Sequence, residues 1–245
     1  QIFATWYTYD TSGKAWWLSM LAKRDTPGGN SYSGPINVDT GPPFNNFVGM
    51  GTPTPVGTGT LNFSDVDNGT FDYNLKAGTG GSAGPVIQTK AIVRFDLGTG
   101  AQPTCQFDPA VDFTPATNYQ DLWWEASGQE SGWGINFAHQ GNSIFVTWYT
   151  YDVNGTPLWL SALVKRVGTS NVYTGPLQRT AGPRFDAFVG PPGSNTVVGT
   201  ATLTFANGNS ATFNYVTNGS TGLPLANQTK SIVRFPFGPG GTLCR

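Results

Sequence analysis

Charged side chains are scarce in this chain of 245 residues: only 11% are Asp, Glu, Lys or Arg, and the formal net charge is −1. Nucleic-acid binding depends on a basic surface that releases counterions from phosphates, and the sequence offers no such surface. It also lacks an apolar run of about 20 residues, the length that a membrane-spanning helix needs. We therefore expect neither a nucleic-acid partner nor a membrane span.

Residues that commonly catalyse reactions or bind metals are also few. His139 is the only histidine, and Cys105 and Cys244 are the only cysteines. This inventory disfavours a serine triad and does not supply a zinc ligand set. Glu125 and Glu130 could form a glycosidase pair, but they lie in a turn rich in Gly and Ser. We expect no metal, no cofactor and no enzymatic activity.

Glycine and aromatic residues are abundant instead, with 33 Gly, 8 Trp, 9 Tyr and 16 Phe. Short runs rich in Val, Ile, Thr and aromatic residues alternate with turns rich in Gly, Asn, Asp and Pro. This alternation is typical of barrels and sandwiches built from antiparallel strands. No segment shows the apolar period and capping residues of a helix. The sequence therefore predicts an all-β protein.

One aromatic segment occurs twice, as IFATWYTYD at Ile2–Asp10 and as IFVTWYTYD at Ile144–Asp152. The offset is 142 residues (145 − 3, aligning Phe3 with Phe145), and both copies close on the pattern QTK-A/S-IVRF. Each copy has the size of a small domain and exceeds a solenoid repeat. The predicted domains are a first β-repeat at 1–99, a linker at 100–119 and a complete second β-repeat at 120–245.

The second copy contains enough strands to close a barrel. Eight sequential strands joined by short turns predict an antiparallel up-and-down β-barrel, and a β-sandwich is the alternative. The predicted strands are 121–125, 132–140, 143–152, 157–166, 172–179, 197–206, 211–217 and 227–236.

The first copy lacks the counterparts of the first two of these strands, because its matching residues begin opposite Ser143. Exposed strand edges recruit further strands, as in strand complementation between subunits. We therefore expect the strand at 2–10 to have a neighbour from outside residues 1–99, either in the second repeat or in another molecule. Self-association through this open edge is one expected interaction.

The two cysteines flank the second copy. Because the first and last strands of a meander barrel are neighbours, we expect Cys105 and Cys244 to meet and form a disulfide. Two free thiols, or pairing with another cysteine, are the alternatives. A disulfide, together with the low Lys and high Thr and Gly content, favours a secreted or cell-surface protein.

The repeated strand Ile144–Asp152 carries apolar or aromatic residues on both faces, so its outer face is expected to meet the other repeat, another molecule or a ligand. Flat aromatic rings stack on sugars, so a glycan or polymer is the expected ligand. The candidate ligand-binding residues are Trp6, Tyr7, Tyr9, Trp17, Trp133, Trp148, Tyr149, Tyr151 and Trp159.

Three functions are compatible with these features. The first is a non-catalytic extracellular binding or adhesion module that recognises carbohydrate. The second is a structural subunit of an extracellular fibre or surface layer, assembled by strand complementation. The third is a carrier of a small apolar ligand, which requires a hollow barrel.

Two resemblances to known families add to these expectations. The pattern DLWW…ESGWG…FVTWYTYD resembles secreted tandem β-repeat domains of proteobacteria, which implies a bacterial extracellular or cell-surface location and implies no particular activity. A first-strand Trp beneath a last-strand Arg is similar to the avidin-like and lipocalin-like (calycin) barrels. That resemblance implies that Trp123 or Trp124 packs on Arg234 while the other Trp points away, and that Arg94 lacks such a partner.

Overall fold

The computed structural model describes residues 1–190, 193–235, 238 and 240–245, and within them the chain consists of β-strands and short 3-10 turns. The last residue of the predicted strand 227–236, Pro236, lies outside the described residues. The strands are β1 (Ile2–Tyr9), β2 (Ala15–Arg24), β3 (Ser31–Thr40), β4 (Thr52–Phe63), β5 (Asn68–Leu75), β6 (Val86–Val93), β7 (Cys105–Asp108), β8 (Asp121–Glu125), β9 (Gly134–Gln140), β10 (Ser143–Tyr151), β11 (Pro157–Arg166), β12 (Val172–Ala181), β13 (Ser194–Asn207), β14 (Ser210–Asn218), β15 (Leu225–Arg234) and β16 (Gly241–Cys244).

The second repeat is a closed antiparallel barrel of the eight strands β8 to β15. Consecutive strands are neighbours, and β15 pairs with β8 to close the barrel, with Arg234 opposite Trp123. This architecture confirms the predicted up-and-down barrel rather than the sandwich. The predicted strands match the observed ones closely because turn residues separate each apolar run.

The first repeat is an open sheet of the six strands β1 to β6, in sequence order. These strands correspond to β10 to β15, and in the described residues no counterpart of β8 and β9 joins the sheet. The prediction of two barrel-type repeats, the first without its first two strands, is therefore confirmed.

The same turn closes the leading hairpin in both repeats. In the second repeat, Oδ1 of Asp152 accepts hydrogen bonds from the backbone N–H groups of Asn154 and Thr156 at 2.9 and 3.1 Å. Gly155 has a φ of 73°, which glycine adopts at little cost. Asp10 and Gly13 repeat this arrangement, with Gly13 at a φ of 81°. Asp10 and Asp152, which are equivalent in the two repeats, thus have a local structural role.

Aromatic side chains fill the inside of the barrel. Trp148 contacts Phe213 and Tyr215, with ring centroids 5.2 and 4.4 Å apart. Farther along the interior, Trp123 packs on Phe137. At that end, the ring of Tyr119 stacks on Phe205 with centroids 3.5 Å apart. Because these rings occupy the interior, we do not propose the carrier function.

The predicted contact between Trp123 and Arg234 is present. The Arg234 guanidinium lies 5.3 Å from the centre of the Trp123 ring, and both side chains are buried. Trp124 points to the other face, where it packs on Phe235 with centroids 4.8 Å apart. Adjacent residues on a strand face opposite ways, which explains why only one Trp reaches the arginine.

The two repeats pack against each other through the outer faces of their leading hairpins, β1–β2 and β10–β11. The indole N–H of Trp17 donates to the carbonyl oxygen of Thr150 at 2.8 Å. Its equivalent, Trp159, donates to the carbonyl oxygen of Thr8 at the same distance of 2.8 Å. The contact is therefore reciprocal and resembles the interface of a symmetric dimer.

Each repeat also inserts one loop into the end of the other. Phe44, from the loop after β3, enters the barrel and contacts Trp148 with ring centroids 5.6 Å apart. Its equivalent, Phe185, enters the first repeat and contacts Trp6 with centroids 6.1 Å apart. Tyr215 donates its hydroxyl hydrogen to the carbonyl oxygen of Phe44 at 2.7 Å, which anchors the inserted loop.

Two glycines allow these loops to approach the other repeat. A Cβ atom at Gly41 would lie 2.3 Å from the ring of Tyr151, and one at Gly182 would lie 2.4 Å from the ring of Tyr9. Neither position has room for a side chain, because each glycine backbone lies directly against a buried tyrosine ring of the other repeat.

The strand β1 pairs with β2 alone in the part of the chain that the structure describes. The expectation that the second repeat supplies a neighbouring strand is therefore wrong. Its contact with β1 is made by side chains instead: Nδ2 of Asn136 donates to the Tyr7 hydroxyl at 2.8 Å. The second repeat therefore contacts the outer face of β1 and not its edge.

Cys105 and Cys244 form a disulfide that joins β7 and β16 in a separate two-stranded sheet. The pairing was expected, but the location differs, because β7 lies within the segment 100–119 that was predicted to be a linker. The bond closes a segment with a sequence separation of 139 residues. It therefore ties the end of the second repeat to the connection between the repeats.

We predict that Trp17→Phe and Trp159→Phe each lower the free energy of unfolding by about 1–3 kcal/mol, because each removes a buried hydrogen bond between the repeats and part of a packed indole ring. Chemical denaturation measures the effect. Trp124→Phe is the matched control, since its buried indole N–H has no hydrogen-bond partner among the described residues. Equal losses in all three variants would contradict a specific role for the reciprocal hydrogen bonds.

We also predict that replacing both Cys105 and Cys244 with Ser lowers the free energy of unfolding by up to about 5 kcal/mol, because the unfolded chain regains the freedom of a long loop. Denaturation of the variant and of the oxidised protein gives the difference. Alkylation followed by intact-mass measurement checks the bond itself: labelling of the unreduced, unfolded protein would show that the disulfide is absent.

Candidate interaction site in the first repeat

The second repeat shows what occupies the space that is left open in the first. There, the hairpin β8–β9 closes the barrel and directs Trp123, Ile135 and Phe137 into the core, where all three are buried. Trp133, just before β9, covers Trp148 with ring centroids 6.4 Å apart. The hairpin thus supplies much of the aromatic core as well as two strands.

The inner face of the first repeat lacks this cover. Trp6 is half-buried, whereas its equivalent Trp148 is only 1% exposed. The remaining aromatic contacts are the same: Trp6 lies 5.2 Å from Phe71 and 4.5 Å from Tyr73, measured between ring centroids. We call this face the open groove. Its half-buried apolar residues are Ile2, Ala4, Trp6, Phe71 and Ile92.

A cation lies on the same inner face. In the second repeat, Nζ of Lys230 pairs with Oε1 of Glu130 at 2.7 Å. The other carboxylate oxygen of Glu130 accepts a hydrogen bond from the Trp133 indole at 3.1 Å. Lys90 is the equivalent of Lys230 and is half-buried, but it has no ion-pair or hydrogen-bond partner in the described ranges.

Arg94 and Arg234 are a second pair of equivalent cations, and they too have different partners in the two repeats. Arg234 pairs with Asp121 of the hairpin at 2.9 Å and is 2% exposed. Burial raises the pKa of Asp121 and lowers the pKa of Arg234, while their attraction opposes both changes. Arg94 instead donates to the carbonyl oxygen of Pro103 at 2.6 Å and lies 3.7 Å from an oxygen of Asp67. The Arg234 side chain also donates to the carbonyl oxygens of Asn118, Gln120 and Gly208, so Asp121 is its only hydrogen-bond partner in the hairpin.

The structure places the aromatic candidates for ligand binding in three different environments. Most of them are buried: those on the outer faces of the hairpins β1–β2 and β10–β11 form the interface between the repeats, and two others lie inside the barrel. A buried ring presents no face on which a sugar can stack. The interface residues are Tyr7, Tyr9, Trp17, Tyr149, Tyr151 and Trp159, the barrel residues are Trp133 and Trp148, and Trp6 lies in the open groove.

The two acids considered as a glycosidase pair are both held by local contacts. Glu125 accepts hydrogen bonds from the backbone N–H and the hydroxyl of Ser127, at 2.9 and 2.6 Å. Partial burial raises the pKa of Glu125, but these and other hydrogen bonds lower it by more, so the net pKa is lowered. The charged carboxylate is therefore stabilised, which does not suit a general acid. Glu130 is engaged by Lys230 and Trp133. Among the described residues, no group of acids, histidine and cysteine could hold a metal ion.

His139 is a buried structural residue. Its Nδ1 accepts a hydrogen bond from the backbone N–H of Tyr119 at 3.0 Å, and its Nε2 donates to the carbonyl oxygen of Gly141 at 3.0 Å. These partners require the neutral ring. His139 borders a cleft of about 620 Å³, but both of its ring nitrogens already form hydrogen bonds within the protein.

Comparisons with known proteins find no match for this chain among protein-family models, curated proteins or solved structures. Within the described ranges, the structure contains no helix with the length and apolar character needed to span a membrane.

The shared pattern QTK-A/S-IVRF contains Lys90 and Lys230 at equivalent positions, but sequence reasoning did not find the open groove as a site. The missing strands were recognisable from the repeat alignment. The partner of Lys230 was not, because Glu130 is distant in the sequence and meets the lysine only when β15 closes on β8. Aligning the two repeats shows which segment is missing, but the contacts of that segment can be known only from the structure of the closed barrel.

We predict that His139 stabilises the fold only while it is neutral. Burial lowers the pKa of His139 to about 4, and Arg166 and Arg234 add to this effect. The unfolded chain binds the proton near its ordinary value of about 6.5, so stability falls as the pH drops through this window. The free energy of unfolding should decrease by about 2 kcal/mol between about pH 7.5 and about pH 5 through this residue.

The single histidine makes this prediction easy to check, because its ring protons give one set of NMR signals. No titration should occur above about pH 5 in the folded protein. In His139→Asn, which retains an acceptor for the Tyr119 N–H, this part of the pH dependence should disappear. A folded-state midpoint near about 6.5 would contradict the prediction.

Proposed function

We propose that this chain is a non-catalytic structural module of an extracellular or cell-surface assembly, and that β-strands from a partner complete its first repeat. The observation that carries the proposal is the contrast between Trp6 and Trp148. Both rings make the same contacts within their repeats, yet only Trp148 is covered, and its cover comes from the β8–β9 hairpin, which has no counterpart among the described residues of the first repeat.

The two exposed edges support the same proposal. In the described chain, β1 pairs only with β2 and β6 pairs only with β5, so each edge has free backbone donors and acceptors. Added strands satisfy such groups and gain affinity from main-chain hydrogen bonds. An apolar inner face between two open edges provides both the hydrogen-bonding and the hydrophobic contribution to binding.

This proposal agrees better with the geometry than glycan stacking does, because most of the aromatic candidates are buried. The disulfide between Cys105 and Cys244 supports the proposed location, since such bonds persist in oxidising surroundings. Its position between β7 and β16 leaves β1 and β6 free of covalent restraint by the disulfide.

A peptide with the sequence of residues 119–142 tests the proposal, because in the second repeat this segment fills the equivalent space. We expect the peptide to bind the intact 245-residue chain in calorimetry and to slow amide hydrogen exchange in β1 and β6. Absence of both effects at about 1 mM peptide, a concentration that detects even weak complexes, would refute it.

Two variants of the chain locate the binding. Ala4→Glu places a charge inside the open groove and should reduce binding, since an unpaired charge is costly to bury. Ala91→Glu is the matched control on the outward face of the edge strand β6, where the residue is exposed, and should leave binding unchanged. Equal loss in both variants would place the peptide elsewhere.

A further inference from the structure

The open groove has a charge as well as an apolar surface, and this charge restricts what can occupy it. Lys90 is opposite Phe71 in the pairing of β5 with β6, and Lys230 is opposite Phe213 in the pairing of β14 with β15. The two lysines therefore occupy the same place relative to the aromatic core. Only Lys230 has an acidic partner, and that partner belongs to the segment between β8 and β9.

We propose that the occupant of the open groove is an acidic and aromatic β-hairpin, in which a carboxylate pairs with Lys90 and an adjacent aromatic ring covers Trp6. This inference rests on the proposed function and names the chemistry of the partner. It follows from the second repeat, where one segment performs both tasks through Glu130 and Trp133.

The acid and the aromatic ring act together in the second repeat. Glu130 receives the Lys230 ammonium on one oxygen and the Trp133 indole N–H on the other, at 2.7 and 3.1 Å. The carboxylate thereby holds the indole over Trp148. The Lys230 and Glu130 side chains are 15% and 20% exposed, so the pair is shielded from water and is stronger than a surface ion pair.

Two strands fit the groove better than one. In the second repeat, β9 pairs with β10 and β8 pairs with β15, and β8 and β9 pair with each other. A single added strand would satisfy one edge of the first repeat and create a new one beside it. A hairpin joins both edges and leaves no unpaired strand, as in the closed barrel.

Lys90 therefore determines which hairpins bind, by attracting a partner with an acid at the position of Glu130. It also disfavours a partner with a cation there, since like charges in a shielded place repel. Arg94 contributes less to this selection because the carbonyl oxygen of Pro103 already accepts its hydrogen bond. The inference thus concerns one charge at one position of the groove.

A charge exchange tests the inference with the intact chain and synthetic peptides of residues 119–142. Lys90→Glu in the chain, or Glu130→Lys in the peptide, should each weaken binding about tenfold. Combining the two changes should restore most of the affinity, because the pair then has reversed but complementary charges. Lys90→Met separates loss of attraction from gain of repulsion and should weaken binding less than Lys90→Glu.

The outcomes distinguish this inference from the proposed function. If the unchanged peptide binds but the charge exchange neither weakens nor restores binding, the selection by Lys90 is wrong and strand complementation stands. If no peptide binds, both fail. A peptide with Trp133→Ser and Phe137→Ser should not bind; binding of this peptide would show that the aromatic part of the inference is wrong. Thermal unfolding of each chain variant confirms that it is folded.

Discussion

The structure depends on the burial of aromatic side chains on both faces of the leading hairpin of each repeat. The inner face of β10 fills its own barrel through Trp148, while the outer face meets the other repeat through Tyr149. Neither repeat could bury this outer face alone, and large aromatic surfaces contribute strongly to packing. The reciprocal indole hydrogen bonds of Trp17 and Trp159 then fix how the two faces meet.

The loops that the repeats insert into each other make each repeat depend on the other at its end as well. Phe44 and Phe185 each complete the core of the other repeat, so the two cores are not independent. Their insertion requires Gly41 and Gly182, since no side chain fits beneath the facing tyrosine rings. Each repeat therefore stabilises the other although only one of them is a closed barrel.

Most strands and the disulfide were predictable because their signals are local or follow from barrel topology. Apolar alternation gave the strands and turn residues gave their ends, while the contact between Trp123 and Arg234 was expected from the resemblance to calycin barrels and lies where β15 closes on β8. The aromatic candidates for ligand binding show where the sequence pattern stops being informative. A strand with two apolar faces indicates that something covers the outer face, but the pattern is the same for a glycan as for another repeat.

The sequence by itself determined the all-β class, the duplication and the absence of two strands from the first copy, because alternation and self-similarity can be read along the chain. Only the tertiary structure decided which aromatic residues are covered and what covers them. Trp6 and Trp148 lie in nearly identical segments, yet one is half-buried and the other buried. The difference lies in the hairpin β8–β9, which contains Trp133 and is brought over Trp148 by the closing of the barrel.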